Sequence, residues 1–173
     1  MGKLILVLGE NNSGKSKFSE EMISKIEGNR YYIATMIPAT DENYDRIKKH
    51  KKQREGLGFT TLELPYSLDV GMIDCNSVVL LEDVTNLLAN NIFDKNKTAD
   101  DVFYDIISLK EKCKLLVAVG ISDLDENGYD KETEMYINGI NELNQKLTDE
   151  AFTVIKMENK NPIYLKGEEY AIN

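Results

Sequence analysis

Two short stretches carry residue types whose spacing can do chemistry. The first, GENNSGKS from Gly9 to Ser16, fits the pattern GxxxxGK[ST]. In such a loop the backbone N–H groups of Gly9, Glu10, Asn11, Asn12, Ser13 and Gly14 turn inward and cradle phosphate oxygens. Lys15 then reaches the β- and γ-phosphates, and the Ser16 hydroxyl helps hold Mg²⁺. The pattern carries weight only between a buried strand and a helix. Here LILVL precedes it and KFSEEMISKIE follows it, which outweighs the alternative of a simple glycine-rich turn.

The second stretch, DRIKKHKKQR from Asp45 to Arg54, packs six cationic side chains around His50, the single histidine of the chain. On a helix Arg46, His50 and Arg54 lie at i, i+4 and i+8, one face spanning about 12 Å, which suits a triphosphate better than one phosphate. Neighbouring positive charge disfavours the imidazolium and so keeps the ring neutral and nucleophilic. The residues alone leave three readings open. His50 can attack an anionic substrate; the segment can be a solvated basic face whose charges complement a helix end at Gly56; or it can be a nucleic-acid patch. The last finds no interleaved aromatic residues and no second basic segment.

A phosphate loop also needs a carboxylate at the end of a neighbouring strand to organise its metal ion. SVVLLED offers Glu82 and Asp83. Asp83 is placed to cap a helix starting near Val84, which leaves Glu82 as the better ligand for metal or water. A third pattern, D-x-D-x-N-G-x₅-E, is spelled by Asp123, Asp125, Asn127, Gly128 and Glu134 and matches calcium-loop spacing. Asp130 stands where that loop is usually apolar, and a strand precedes it instead of a helix. A polar turn at Asn127-Gly128, leading to a helix capped by Asp130, accounts for the same residues.

The elements that must position these groups are β-rich runs alternating with helical patterns. KLILVL, RYYIA, FTTLEL, SVVLL, KLLVAV, FTVIKM and IYLK read as seven strands, and several are apolar throughout, as parallel strands covered on both faces are. Thr98 and Asp101 form a capping arrangement ahead of Val102, Phe103, Ile106 and Ile107; Tyr136, Ile140, Leu143 and Leu147 make a second helical stripe. This βαβ alternation implies one α/β domain over residues 1–173 with a mainly parallel sheet. ENKNP is too short for a crossover helix, so the last two strands should pair antiparallel.

Composition narrows the classes further. A net charge of −9 argues against broad attraction to nucleic acid or acidic membranes, so any anion site must be local. The apolar runs are too short to span a bilayer, and the N-terminus lacks the pattern of a signal peptide. Cys75 and Cys113 form no CxxC pair and suggest neither a disulfide framework nor a zinc site. The expectation is a cytoplasmic protein with reduced thiols.

Taken together, the motifs resemble the bifunctional adenosylcobinamide kinase/adenosylcobinamide-phosphate guanylyltransferase family of cobalamin biosynthesis. The resemblance rests on the phosphate loop, YIAT at Tyr32 to Thr35, Asp41-Glu42, and RIKKHKKQR from Arg46 to Arg54. FTTLE, ending at Glu63, resembles the family's W-x-T-x-E with Phe59 in the tryptophan position. LLEDVTNLLANNIF places Glu82 and Asn90 on matching positions, and NQKL and PIYLK are also similar. The family's N-E-V-G…G-I-V-P loop and its R-x-F-R-D segment are absent; GISDLDENGYDKETEMYIN stands there instead.

The resemblance implies ATP and GTP as substrates with Mg²⁺, a corrinoid acceptor, guanylylation of His50 and a homo-oligomer, a trimer. It implies that Lys15 serves catalysis, that Arg46, Arg54 and Glu63 bind nucleotide, and that Ser16 and Glu82 hold the metal. Two other readings stay open: a small-molecule P-loop kinase without guanylyl transfer, and a nucleotide-sensing module without catalysis.

Overall fold

The computed structural model describes residues 2–125 and 128–168. The expected runs form seven strands: β1 (Lys3–Gly9), β2 (Asn29–Ala34), β3 (Phe59–Glu63), β4 (Ser77–Glu82), β5 (Leu115–Ile121), β6 (Thr153–Glu158) and β7 (Asn161–Lys166). Five helices join them: α1 (Lys15–Ser24), α2 (Asp41–Gln53), α3 (Val84–Lys95), α4 (Ala99–Lys112) and α5 (Lys131–Glu150). One sheet runs β3-β2-β4-β5-β1-β6-β7, parallel up to β6, with β6 and β7 antiparallel as expected.

Successive strand residues face opposite sides, and both sides are covered. Leu4, Leu6 and Leu8 pack with Leu88, Ile106 and Leu143 under α3, α4 and α5. Ile5 and Val7 pack with Ile23 and Ile26 beneath α1. Two covered faces explain why β1, β4 and β5 read as unbroken apolar runs. The helix starts follow their caps. Thr98 and Asp101 form the reciprocal capping box, and Asp83 and Asp130 accept from the backbone N–H groups of Asn86 and Thr133.

One expectation is corrected. The strand ending in Glu82 is not adjacent to the strand of the phosphate loop, because β5 lies between β4 and β1. Apolar runs report burial on both faces but not the order of strands across a sheet. Glu82 reaches the loop through Ser16 on α1, which packs across β1, β5 and β4.

Helix α2 stands apart from the others. No residue between Asp41 and Gln53 is buried, so polar contacts hold it in place. Those contacts place His50.

Candidate active site

The loop after β1 folds tightly because two of its glycines allow it. A Cβ on Gly9 would sit 2.6 Å from Ser13 Oγ and 2.8 Å from the Met157 carbonyl oxygen, too close to tolerate. Gly14 adopts φ 92°, a left-handed conformation that glycine reaches without strain, and it starts α1. Lys15 Nζ donates to the carbonyl oxygens of Gly9 (3.1 Å) and Glu10 (2.6 Å), so it curls over the loop it serves. Burial lowers its pKa, opposed by Asp83 and Glu82.

Ser16 is the point where the separate elements meet. Its hydroxyl donates to Glu82 Oε1 at 2.6 Å and lies 3.1 Å from Nδ1 of His50. Glu82 Oε2 is buried without a hydrogen-bond partner. Burial raises the Glu82 pKa to about 8, with Asp83 and Glu20 adding to the rise and Ser16 and Lys15 opposing it. An orphaned carboxylate oxygen beside a serine hydroxyl fits Mg²⁺, which takes few protein ligands and keeps water and phosphate oxygens. Asp83 is used differently: it caps α3, and its backbone exchanges hydrogen bonds with the Thr35 hydroxyl, both at 2.8 Å.

Beside this junction opens a pocket of about 450 Å³. Arg46, His50, Arg54, Glu63 and Glu82 all line it, so the helical face read from the sequence does converge on one cavity. Lys49 is exposed and is not among the lining residues. His50 is held below its ordinary pKa, first by burial and then by Arg46, Arg54 and Lys49. Charge, the cause expected from the basic segment, is the smaller one; withdrawal from water is the larger.

The two arginines differ in environment. Arg46 is exposed at the pocket, whereas Arg54 is buried, with its guanidinium 3.7 Å from the Tyr32 ring centroid and donating to Thr61 Oγ1 at 3.1 Å. Glu63 is an exposed residue of β3 whose carboxylate lies 3.8 Å from Lys51. Asn90 donates to the carbonyl oxygens of Thr35 and Pro65, both at 2.8 Å, and so ties the end of β2 to the chain leaving β3.

Three features escaped the sequence reading. Met36, Ile37, Pro38, Tyr44 and Ile47 give the pocket an apolar wall. Their signal was apolar side chains at positions no core claims, Met36, Ile37 and Pro38 between β2 and α2, and Tyr44 and Ile47 on α2 itself. Glu20, 1% exposed on α1, accepts from Gln53 Nε2 at 2.5 Å and links the phosphate-loop helix to the end of α2. A buried acid inside EEM looks like any solvated helix position, and nothing local distinguishes it. Lys160 on the β6–β7 turn packs against the loop, a long-range contact that no motif announces.

The calcium-like spacing gains no support from the residues around it. Asp123 pairs with Lys156 at 3.0 Å and Asp130 caps α5. Asn127 lies outside the described residues; among the described ones, no three His, Cys, Asp or Glu side chains are arranged to hold a metal. No helix among them is long and apolar enough to cross a membrane.

A parallel sheet with a phosphate loop between its first strand and first helix, and a serine–glutamate pair beside it, defines a P-loop nucleotide-binding protein. Solved structures agree on the fold. One solved ATPase domain matches with a TM-score of 0.53 at 7% identity, over 99% of this chain and 79% of that one. An ATPase from the type III secretion system of pathogenic bacteria matches with 0.54 at 13%, over 90% and 52%.

Within that class, the chain belongs to the CobU family, described as cobinamide kinase / cobinamide phosphate guanyltransferase, whose model matches residues 5–164. A curated relative is the bifunctional adenosylcobalamin biosynthesis protein CobU of Escherichia coli (strain K12), 34% identical over 111 residues. That match spans 62% of this chain and 60% of the relative's length.

Proposed function

We propose that this protein phosphorylates adenosylcobinamide with a nucleoside triphosphate and then transfers GMP from GTP to the phosphorylated product, through a covalent His50–GMP intermediate. The observation that supports the reading is the His50 imidazole within 3.1 Å of Ser16, beside the phosphate loop. In a kinase that used the loop alone, no histidine would be needed there.

The residues divide the work as follows. Loop amides and Lys15 hold phosphate oxygens, and Arg46 draws the triphosphate into the pocket with Arg54 behind it. Ser16 and Glu82 would hold Mg²⁺, which neutralises charge on the phosphate oxygens. Glu82 is ionised, against its raised pKa, once Mg²⁺ is bound; the Ser16 proton then points to it, and the serine oxygen accepts from Nδ1–H of His50. The lone pair is then on Nε2, the nitrogen free to attack. Nε2 attacks the α-phosphorus of GTP; an N–P bond forms, the Pα–O bond to the β-phosphate breaks, and pyrophosphate leaves with the electron pair. A phosphate oxygen of adenosylcobinamide phosphate then attacks the same phosphorus, releasing His50 and yielding adenosylcobinamide-GDP. A cytoplasmic homo-oligomer, the trimer of the family resemblance, belongs to the same reading.

Turnover tests it. Purified protein with adenosylcobinamide, ATP, GTP and Mg²⁺ should yield adenosylcobinamide phosphate and then adenosylcobinamide-GDP. Lys15→Ala should lose both products while melting unchanged, since a half-exposed loop lysine contributes little packing. Nucleotide binding without either product would leave a sensing module, and phosphorylation alone would leave a kinase.

A further inference from the structure

The β6–β7 hairpin touches the phosphate loop on the side away from His50. Strand β6 flanks β1 opposite to β5 and β4, so the hairpin turn and Glu82 sit on opposite sides of the loop. The backbone N–H of Lys160 donates to the Ser13 carbonyl oxygen at 3.1 Å. Its stem covers the loop glycine: a Cβ on Gly14 would lie 3.4 Å from both Cα and Cγ of Lys160. Gly14 is the N-cap of α1, where backbone N–H groups point at a bound anion.

The turn itself gives no local reason for a lysine here. Asn159 and Lys160 have φ 49° and 64°, the pair of left-handed residues that a two-residue hairpin demands. Asn-Gly is the preferred filling, because glycine enters that conformation without strain. Lysine at the second position accepts a cost that glycine avoids. Lys160 is an exposed residue, and among the described residues no carboxylate pairs with it, whereas nearby Lys156 is paired to both Asp123 and Glu158. A lysine with no carboxylate partner among the described residues therefore has its stem on the phosphate loop, in a chain of net charge −9.

We infer that Lys160 is a second lysine of the phosphate site, and that it binds the pyrophosphate end of the triphosphate. The inference rests on the guanylyl-transfer reading for its direction. When the α-phosphorus is at His50, the β- and γ-phosphates run across the loop toward the hairpin. As the Pα–O bond breaks, charge develops on the departing pyrophosphate, where Lys15 and Lys160 neutralise it from two sides.

Titration calorimetry of the full chain with magnesium pyrophosphate provides the test, comparing the natural protein with Lys160→Gly and Lys160→Arg. Lys160→Gly should bind pyrophosphate roughly ten-fold more weakly at low salt, the worth of one charge-assisted contact. Its melting temperature should stay level or rise, because glycine relieves the positive φ. Lys160→Arg should retain most of the affinity. Equal pyrophosphate affinity in all three proteins would overturn the inference. So would an affinity loss accompanied by a clear fall in melting temperature, which would make Lys160 a folding residue. Weaker pyrophosphate binding in the glycine variant, in a protein that takes no label from α-labelled GTP, would uphold the cation while rejecting the guanylyl reading.

Discussion

Nδ1 of His50 lies 3.1 Å from the Ser16 hydroxyl, joining a helix with no buried residue to the first turn of the helix that follows the phosphate loop. The contact spans 34 residues of sequence. On the proposed reading, kinase and transferase chemistry share one set of groups, with Ser16 between Glu82 and His50.

Glu82 and Asp83 are neighbours in sequence with separable jobs. Glu82→Gln should abolish Mg²⁺-dependent turnover and leave the melting temperature level or higher, because it removes a buried carboxylate with an orphaned oxygen. Asp83→Ala should instead lower stability by about 1 kcal/mol through loss of the α3 cap. Thermal melts and Mg²⁺ titrations on both variants check this. A neutral Asp83→Ala beside a destabilised Glu82→Gln would contradict this division of roles.

The pH dependence of histidine labelling follows from burial. Neutral imidazole attacks and imidazolium does not, so the labelling rate falls as pH drops through the folded-state pKa of His50. Burial, with Arg46, Arg54 and Lys49, lowers that pKa, so the acidic limb should have its midpoint below the ordinary 6.5. The linked effect on stability has the same sign. As pH falls below 6.5 the unfolded chain takes up this proton first, so the contribution of His50 to stability declines there. Single-turnover labelling across pH measures the limb; a midpoint above the ordinary histidine value would contradict the burial argument.

Arg46 and Lys49 sit one turn apart on α2, one facing the pocket and the other solvent. Arg46→Ala should raise the KM for GTP roughly ten-fold, the loss of one charge-assisted phosphate contact. Lys49→Ala should change it less than about two-fold, within what distant surface charge does. Steady-state kinetics of both variants at fixed ionic strength decide, and equal effects would return the segment to a general basic field.

Much of this arrangement was legible in the sequence. All seven strands were read from the sequence: β1, β4 and β5 because strands covered on both faces leave unbroken apolar runs, the exposed edge strands β3 and β7 only from their β-rich composition; the phosphate loop carries its pattern with both flanks. The Arg46–His50–Arg54 face follows from helical spacing alone. What stayed hidden is long-range. The insertion of β5 between β1 and β4, the Glu20–Gln53 hydrogen bond and the seat of Lys160 on Gly14 all join distant segments. Burial of Arg54 against Tyr32 was equally invisible, since a cation ending a basic helix reads as solvated.

The proposed function stands or falls on a covalent bond between His50 and GMP, which α-labelled GTP reveals. Natural protein incubated with Mg²⁺ and GTP labelled at the α-phosphorus should retain label after denaturation, labile in acid and stable in base as a phosphoramidate is. GTP labelled at the γ-phosphorus should leave none. His50→Asn preserves a polar side chain of similar size but lacks the nucleophilic nitrogen, so it should lose the label and the guanylyl transfer while keeping NTP-dependent phosphorylation, which relies on positioning and charge. Acid-labile α-label persisting in His50→Asn would place the nucleophile elsewhere and leave His50 a bystander beside Ser16.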